Sequence, residues 1–342
     1  GVGVADVASG CAVEIGGLSL VLPEGASSTL ALRALSHCGR NLLRVIPSSR
    51  WDVEQAARDL VGSPPEVASR VRHGGFLCDA ELFEHGCFSI SAAEAAAMDP
   101  QQRQLLEKGY AALHASGASK AALLGAVVAV HVGQWASEFG SVLTRTPAGR
   151  SVYASTGFSC SVTCGRVSFT LGLQGPCASY DTACSASLVA NHGSVRGLQR
   201  VECASALSAG VNMILEPSAM RGNAVAGFTS VRGRSHTFDA RADGYARGEA
   251  IDAVACRLGA GGETVPLHAA VLGSAIRQDG RSASLTAPNG QAQQGVLGAS
   301  LVDARLEASE VAVLEAHDTR TALGDPSEPA ATAAGWGAAG DG

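Results

Sequence analysis

The stretch Asp181-Thr182-Ala183-Cys184-Ser185-Ala186-Ser187 places one cysteine between a glycine-rich approach and an apolar helical pattern. Upstream, residues 172–176 include two glycines and a proline, and downstream apolar side chains recur at helical spacing, at Leu188, Val189, Val195 and Leu198. We therefore predict that Cys184 lies at a turn-to-helix junction. Unpaired N–H groups and the positive end of the helix dipole stabilise an anion there, which makes Cys184 the candidate nucleophile. One of these N–H groups can also donate to an oxyanion.

Strand and helix patterns alternate on both sides of Cys184 and predict an α/β fold with a sheet covered on both faces. Helices are predicted over residues 30–38, 100–116 and 185–199. Strands are predicted over residues 12–22, 124–132, 204–213, 251–258, 267–276 and 311–316. The longest apolar run, residues 121–130, is too short to span a bilayer and is interpreted as a buried strand.

The composition indicates a large globular chain with a well-buried core. Its 342 residues are 46% hydrophobic, and 42 glycines suit closely packed α/β layers. The formal net charge is −6, and no basic cluster is dense enough to predict nucleic acid or an anionic membrane as a partner. The arginines between residues 232 and 247 offer a surface for an acidic protein.

The ten cysteines show no disulfide framework and no signal peptide opens the sequence, so we expect a reduced, cytoplasmic compartment, with an organellar location left open. Cys160 and Cys164 are interpreted as small buried residues because they lack histidines at ligand spacing. No metal site is predicted. Neither a dinucleotide-binding glycine motif in strand–helix context nor a P-loop occurs.

Further motifs accompany the cysteine segment, in an order that resembles the β-ketoacyl synthases, specifically the ketosynthase domains of modular polyketide and fatty-acid synthases. They are Asp99-Pro100-Gln101-Gln102-Arg103, Gly165-Arg166-Val167-Ser168, the run from Phe238 to Glu249, Asn289-Gly290, Gln293-Gln294, Glu315-Ala316-His317 and Leu323-Gly324-Asp325-Pro326. The resemblance covers about residues 11–328. It is stronger to modular type I ketosynthases than to short stand-alone synthases, which indicates a multidomain parent.

The resemblance implies a thiolase-like fold, in which two similar halves build five α/β/α/β/α layers. The first half, which carries the nucleophile, is predicted over residues 1–259, and the second half begins with residues 260–328. That second half is expected to be truncated, and residues 329–342 are an unassigned Ala/Gly-rich tail. Because the chain begins at Gly1 rather than Met, we expect a fragment of a longer protein.

The resemblance also implies roles for individual residues. Cys184 would accept an acyl group from a carrier thioester, and its backbone N–H would donate to the oxyanion. His317 would hydrogen-bond a thioester oxygen while an enolate develops. Thr319 and Thr321 are the candidate pantetheine contacts.

Two features depart from the family pattern. Asp318 and Arg320 occupy positions that are glycine in the family, and an arginine adds bulk and charge to a loop that should admit the carrier arm. A second catalytic histidine, a lysine in a Gly-His segment and a glycine-rich loop with a phenylalanine are not recognisable after His317. Condensation needs two donors on the thioester oxygen, so this stretch of sequence by itself is not expected to complete the reaction.

We therefore expect a ketosynthase segment, an acyltransferase that transfers an acyl group to Cys184 and then performs a decarboxylative Claisen condensation with a malonyl-type thioester. No cofactor is expected on the domain itself, because its substrates are carried on the phosphopantetheine of an acyl carrier protein. A homodimer, paired through residues 177–180, and other synthase domains are the further expected partners. Two alternatives stay open: a non-condensing scaffold that binds acyl chains or dimerises, and a cysteine hydrolase.

Overall fold

The computed structural model describes residues 12–60, 62–135, 137–259, 268–317 and 328–333. The chain divides into two compact units. The first is drawn from Gly1–Leu42, Gly75–Glu216 and Gly248–Val271, and the second from Leu43–Gly74, Pro217–Arg247 and Leu272–Gly342. Among the described residues, the first unit contains a six-stranded sheet and the second a two-stranded sheet.

Strands and helices alternate along most of the described chain. In chain order the strands are β1 (Val13–Val21), β2 (Arg44–Val45), β3 (His73–Gly74), β4 (Val128–Gln134), β5 (Cys177–Tyr180), β6 (Ser205–Asn212), β7 (Ala250–Leu258) and β8 (Ala269–Val271). The α-helices are α1 (Thr29–His37), α2 (Val53–Arg58), α3 (Pro65–Ser69), α4 (Ala92–Ala97), α5 (Pro100–Ala115), α6 (Lys120–Leu123), α7 (Phe139–Leu143), α8 (Ala154–Gly157), α9 (Cys160–Leu171), α10 (Ala186–Gln199), α11 (Pro217–Val225) and α12 (Gly290–Ala304).

The large sheet of the first unit is mixed, with the strand order β5-β4-β6-β7-β1-β8. Strands β5, β4 and β6 are parallel, whereas β7 is antiparallel to both β6 and β1, and β8 is antiparallel to β1. The carboxyl ends of β5, β4 and β6 therefore meet at one edge of the sheet, which is where ligands bind in open α/β sheets.

Side chains of β4 alternate between two cores. Val128, Val130 and Val132 contribute to the larger core, which also contains apolar side chains of α5 and α9. Ala129 contributes to a second core with side chains of α10. All seven residues of β4 are buried, so the sheet is covered on both faces, as the sequence predicts.

Helix α5 begins with a buried cap. Asp99, fully buried, accepts hydrogen bonds from the Gln101 N–H (2.8 Å) and from the Ser137 hydroxyl (2.6 Å). Pro100 fills the first helical position, where no intrahelical N–H partner is needed. A Cβ on Gly17 of β1 would lie 2.1 Å from the Ala112 carbonyl, so a glycine is required where α5 crosses β1.

Two buried glutamates fix the loop after β6. Glu249 is 1% exposed and accepts hydrogen bonds from the N–H groups of Leu77 (2.8 Å) and Ile214 (2.9 Å). Glu138 accepts from the N–H groups of Leu215 (2.7 Å) and of the residue that follows it (3.0 Å). Charge-assisted bonds of this kind offset the cost of burying a carboxylate, so the loop is held at the edge where β4 and β6 end.

The second unit is built from shorter elements and one long loop. Strands β2 and β3 pair antiparallel, with Arg44 opposite Gly74. Helix α2 is capped by Asp52, whose carboxylate accepts from the Glu54 N–H at 2.9 Å. The loop between α11 and β7 is anchored by the Arg70 guanidinium, which donates to the backbone carbonyls of Thr229 and Asp243.

Three predicted strands differ from the structure. The strand predicted over 124–132 begins only at Val128, because Ser119 caps the helical turn α6 and Leu124, 77% exposed, leads into a turn at Gly125. The strand predicted over 267–276 is reduced to β8. The strand predicted over 311–316 is wrong: residues 311–317 have no regular structure, because no described strand pairs with them, and Val313 is 82% exposed.

The interpretation of Cys160 as a buried residue is also wrong, since it is exposed at the first position of α9, whereas Cys164, one turn later, is buried. The nine described cysteines form no disulfide. Within the described parts of the chain, no helix is long and apolar enough to cross a membrane.

Burial lowers the pKa of His131 on β4, so acid should remove the stability that this residue contributes to the first unit. In the unfolded chain the His131 imidazole takes up a proton near pH 6.5, whereas in the folded protein the buried imidazole resists protonation. The contribution of His131 to stability is therefore fully present above pH 6.5 and is lost as the pH falls below that value. We expect the His131 contribution to fall by up to about 2 kcal/mol by pH 5, measured as the difference between the native protein and His131→Asn in urea unfolding from pH 5 to 8. His131→Asn should flatten this dependence, and His37→Gln, at an exposed position of α1, should leave it unchanged. Equal slopes in the native protein and His131→Asn would refute the assignment.

Candidate functional site

Cys184 follows β5 in a tight turn that leads into α10. The Asp181 carboxylate accepts a hydrogen bond from the Ala183 N–H at 3.1 Å, and the Ser185 hydroxyl donates to the Thr182 carbonyl at 3.0 Å. Ala183 has a φ of 53°, in the left-handed region that residues with a Cβ seldom occupy. Local hydrogen bonds therefore hold a strained backbone immediately before the cysteine, as at many functional sites. Cys184 is exposed and lies in the 3₁₀ helix Ala183–Ser185, which continues into α10.

The start of α10 lies directly on the sheet because two strands present glycine there. A Cβ on Gly133 of β4 would lie 2.3 Å from the Ser187 nitrogen and 2.4 Å from the Ala186 carbonyl carbon. A Cβ on Gly210 of β6 would lie 2.7 Å from the Ser187 Cβ. Any side chain at either position would displace the first turn of α10, and with it the cysteine.

Further along α10, the sheet contacts the helix through a buried polar cluster. The His131 Nδ1 lies 3.0 Å from the Ser194 hydroxyl oxygen, and the two residues are 5% and 0% exposed. The His131 ring meets Tyr180 edge to face, with ring centroids 5.8 Å apart. A Cβ on Gly193 would lie 2.6 Å from the Tyr180 hydroxyl, so this part of α10 is also close to the strands.

One carboxylate lies near the first turn of α10. Asp252 on β7 is opposite Gly210 in the register of β6 and β7. Asp252 is exposed to solvent, yet the protein atoms packed around its carboxyl desolvate it and raise its pKa to about 6. Neither Asp252 nor the glycines under α10 are evident from sequence, because their roles depend on which strands become neighbours.

The remaining predicted residues belong to the second unit, whereas Cys184 belongs to the first. His317 is exposed, and its backbone N–H donates to a Glu328 carboxylate oxygen at 2.6 Å. Thr319 and Thr321 lie outside the described residues, as do Asp318 and Arg320. The part of the chain that the structure describes contains no group of three or more His, Cys, Asp or Glu side chains arranged for a metal.

Comparison with family models assigns both parts of the chain to one family. Residues 11–255 match the model described as the β-ketoacyl synthase N-terminal domain, and residues 268–341 match the model of its C-terminal domain. Among curated proteins, the polyketide synthase GfsB of Streptomyces halstedii is 42% identical over 330 residues, which are 95% of this chain and 6% of that protein. The pikromycin polyketide synthase component PikAII of Streptomyces venezuelae is 41% identical over 335 residues, which are 96% of this chain and 9% of that protein.

Solved structures give the same result. The ketosynthase from module 6 of the bacillaene synthase of Bacillus subtilis 168 superposes with a TM-score of 0.86 at 29% identity, covering 97% of this chain and 55% of that one. The oxazolomycin ketosynthase domain OzmH KS7 of Streptomyces albus JA3453 also gives 0.86 at 29% identity, covering 95% and 57%. The thiolase-like α/β fold expected from the sequence is confirmed. The chain spans a small part of its curated relatives and just over half of these ketosynthase chains.

Gly133→Ala should destabilise the first unit by about 2–3 kcal/mol, because the added methyl group meets the backbone of Ala186 and Ser187. Gly165→Ala on α9 is the matched control: its Cβ would meet nothing within 4 Å, and alanine is the better helix former by up to about 1 kcal/mol. Urea unfolding measures both changes. If the Gly133 variant is as stable as the Gly165 variant, the close contact between Gly133 and the first turn of α10 is disproved.

Proposed function

Because the chain belongs to the β-ketoacyl synthase family, we propose that it is a ketosynthase segment of a polyketide synthase and that Cys184 is its nucleophile. The observation that carries the proposal is the exposed Cys184 in a strained turn at the start of α10, within the region that matches the family model. Helix-start N–H groups favour a thiolate at this position and can donate to an oxyanion.

The first step is acyl transfer. The Cys184 thiolate attacks the carbonyl carbon of an acyl thioester, and the negative charge moves to the carbonyl oxygen. Collapse of this intermediate breaks the bond to the carrier sulfur, which leaves as a thiolate and takes up a proton. The product is an acyl group on the Cys184 sulfur, which a carbon nucleophile can then attack.

The second step is decarboxylative condensation. A malonyl-type thioester loses carbon dioxide, and the electron pair of the broken C–C bond forms an enolate. The enolate carbon attacks the acyl carbonyl on Cys184, a C–C bond forms, and the cysteine thiolate is released. His317 is proposed to donate a hydrogen bond to the thioester oxygen as the enolate develops, and Thr319 and Thr321 to contact the pantetheine arm.

The partners are proposed from the same family relationship. We expect substrates to be carried on the phosphopantetheine of an acyl carrier protein, with no cofactor held by this domain. β5 forms an edge of the sheet, which supports a homodimer paired through this strand. The division near residue 259 and a cytoplasmic location stay predictions.

Incubation with an acyl N-acetylcysteamine thioester followed by intact-mass analysis tests the first step. One acyl group should add to the protein, and peptide mapping should place it on Cys184. Cys184→Ala should abolish the adduct because the nucleophile is lost. Cys87→Ala, which removes another exposed thiol, should keep it.

The outcomes separate the alternatives. A stable adduct on Cys184 supports the ketosynthase segment, whether or not this stretch of sequence by itself goes on to condense it with a malonyl thioester. An adduct that water removes within minutes indicates a hydrolase. A well-folded protein that forms no adduct indicates the scaffold and refutes the proposal.

His317→Ala should separate the two steps. The Cys184 adduct should form at the native rate. The rate at which a malonyl thioester is decarboxylated, measured as released carbon dioxide, should fall by roughly 10²-fold or more, as expected for the loss of a positioned hydrogen-bond donor. His236→Ala, in the loop before β7, is the control and should change neither rate. Native decarboxylation in the His317 variant would remove that residue from the mechanism.

A further inference from the structure

Asp252 and the first turn of α10 converge above the same glycine. A Cβ on Gly210 would lie 2.8 Å from the Asp252 Oδ1 and 2.7 Å from the Ser187 Cβ. Ser187 is three residues after Cys184, which is less than one turn of helix. The Asp252 carboxylate is therefore close to the end of α10 on which the proposed thiolate depends.

Among the described elements around Asp252, no charged side chain interacts with its carboxyl group. β6 has no ionisable side chain, and on β1 the residue opposite Asp252 is Leu20, while Glu14 pairs with Arg257 at the far end of the strands. The other ionisable side chains on the same face or on α10 are His131, Tyr180, Cys256, His192 and Arg196. Glu107, the acidic residue of α5, belongs to the helix that covers the opposite face. Desolvation is accordingly the main cause of the raised pKa of Asp252, and no neighbouring charge contributes to it.

We propose that Asp252 is a positioning residue whose charge controls how readily the Cys184 thiolate forms. A carboxylate near the first turn of α10 interacts favourably with the helix dipole, and it opposes a second negative charge at the same end of the helix. Protonation of the carboxyl removes that opposition. The inference rests on the proposed function, in which Cys184 reacts as a thiolate.

The direction of the effect follows from the two ionisations. Above about pH 6 the Asp252 carboxylate is ionised and disfavours the thiolate; below that pH it is neutral and does not. The native protein should therefore gain less thiol reactivity on going from pH 6 to pH 8 than a protein whose residue 252 is neutral throughout.

Alkylation of Cys184 by iodoacetamide, followed by peptide mass spectrometry from pH 5 to pH 9, tests the proposal. Asp252→Asn should raise the Cys184 rate at pH 7.5 by roughly two- to tenfold, the range expected for removing one charge that acts through a largely hydrated, exposed site. The ratio of the two rates should approach one at pH 5, and it should shrink in 1 M NaCl because salt screens the charge.

Two further variants separate charge from packing. Asp252→Ser is neutral but smaller and should match Asp252→Asn if charge is the cause. Asp79→Asn removes a carboxylate at a position with a φ of 54°, which asparagine tolerates, and should leave the native profile unchanged. Circular dichroism melts establish that each variant is folded.

The result that overturns the inference is a rate ratio that is the same at every pH, since a packing change would act at all pH values. If Cys184 forms the acyl adduct in both proteins with identical pH profiles, only the role of Asp252 is wrong. If Cys184 is neither alkylated nor acylated in either folded protein, the proposed function itself fails. The native protein alone provides a second test. The pH profile of its Cys184 alkylation rate should contain an inflection near pH 6 in addition to the one caused by ionisation of the thiol.

Discussion

The close approach of α10 to the sheet is the constraint on which the candidate site depends. Gly133 and Gly210 leave no room for a side chain beneath Ala186 and Ser187, so the first turn of the helix is in contact with two strand backbones. That contact fixes where the cysteine turn ends. The positive φ of Ala183 is maintained because the chain is constrained on both sides of this residue, by the hydrogen bonds of the turn and by the packing of α10. The backbone position of Cys184 is therefore set by the packing of the helix that follows it on the two strands.

Polar groups on several strands then determine the environment of the helix. His131 and Tyr180 contact its middle, whereas Asp252 lies near its first turn. At the same edge, buried Glu138 and Glu249 replace their hydration with backbone N–H donors and hold the loop after β6. These groups come from β4, β5 and β7 and from the segments beside them, so the environment of the helix is a property of the assembled sheet rather than of the cysteine motif.

Local signals in the sequence were enough to predict the turn at Cys184, the helix α5 and the strands β1, β6 and β7. Interactions between distant segments were not predictable in the same way. The apolar run at 311–316 has strand propensity, but a strand needs a partner, and no described strand pairs with it. Gly133 and Asp252 acquire their roles only when β4, β6 and β7 become neighbours, which no spacing along the chain reveals.

The position of β1 in the sheet has a consequence for how this chain is made. β1 is synthesised before every other described element of the first unit, yet its neighbours are β7 and β8, with Val13 opposite both Leu258 and Val271. During translation an apolar strand with open hydrogen-bonding edges must therefore wait until nearly the whole first unit has emerged from the ribosome. Pairings of such long sequence separation close slowly and expose chains to aggregation. Nascent chains stalled before β7 should accordingly be the most dependent on chaperones.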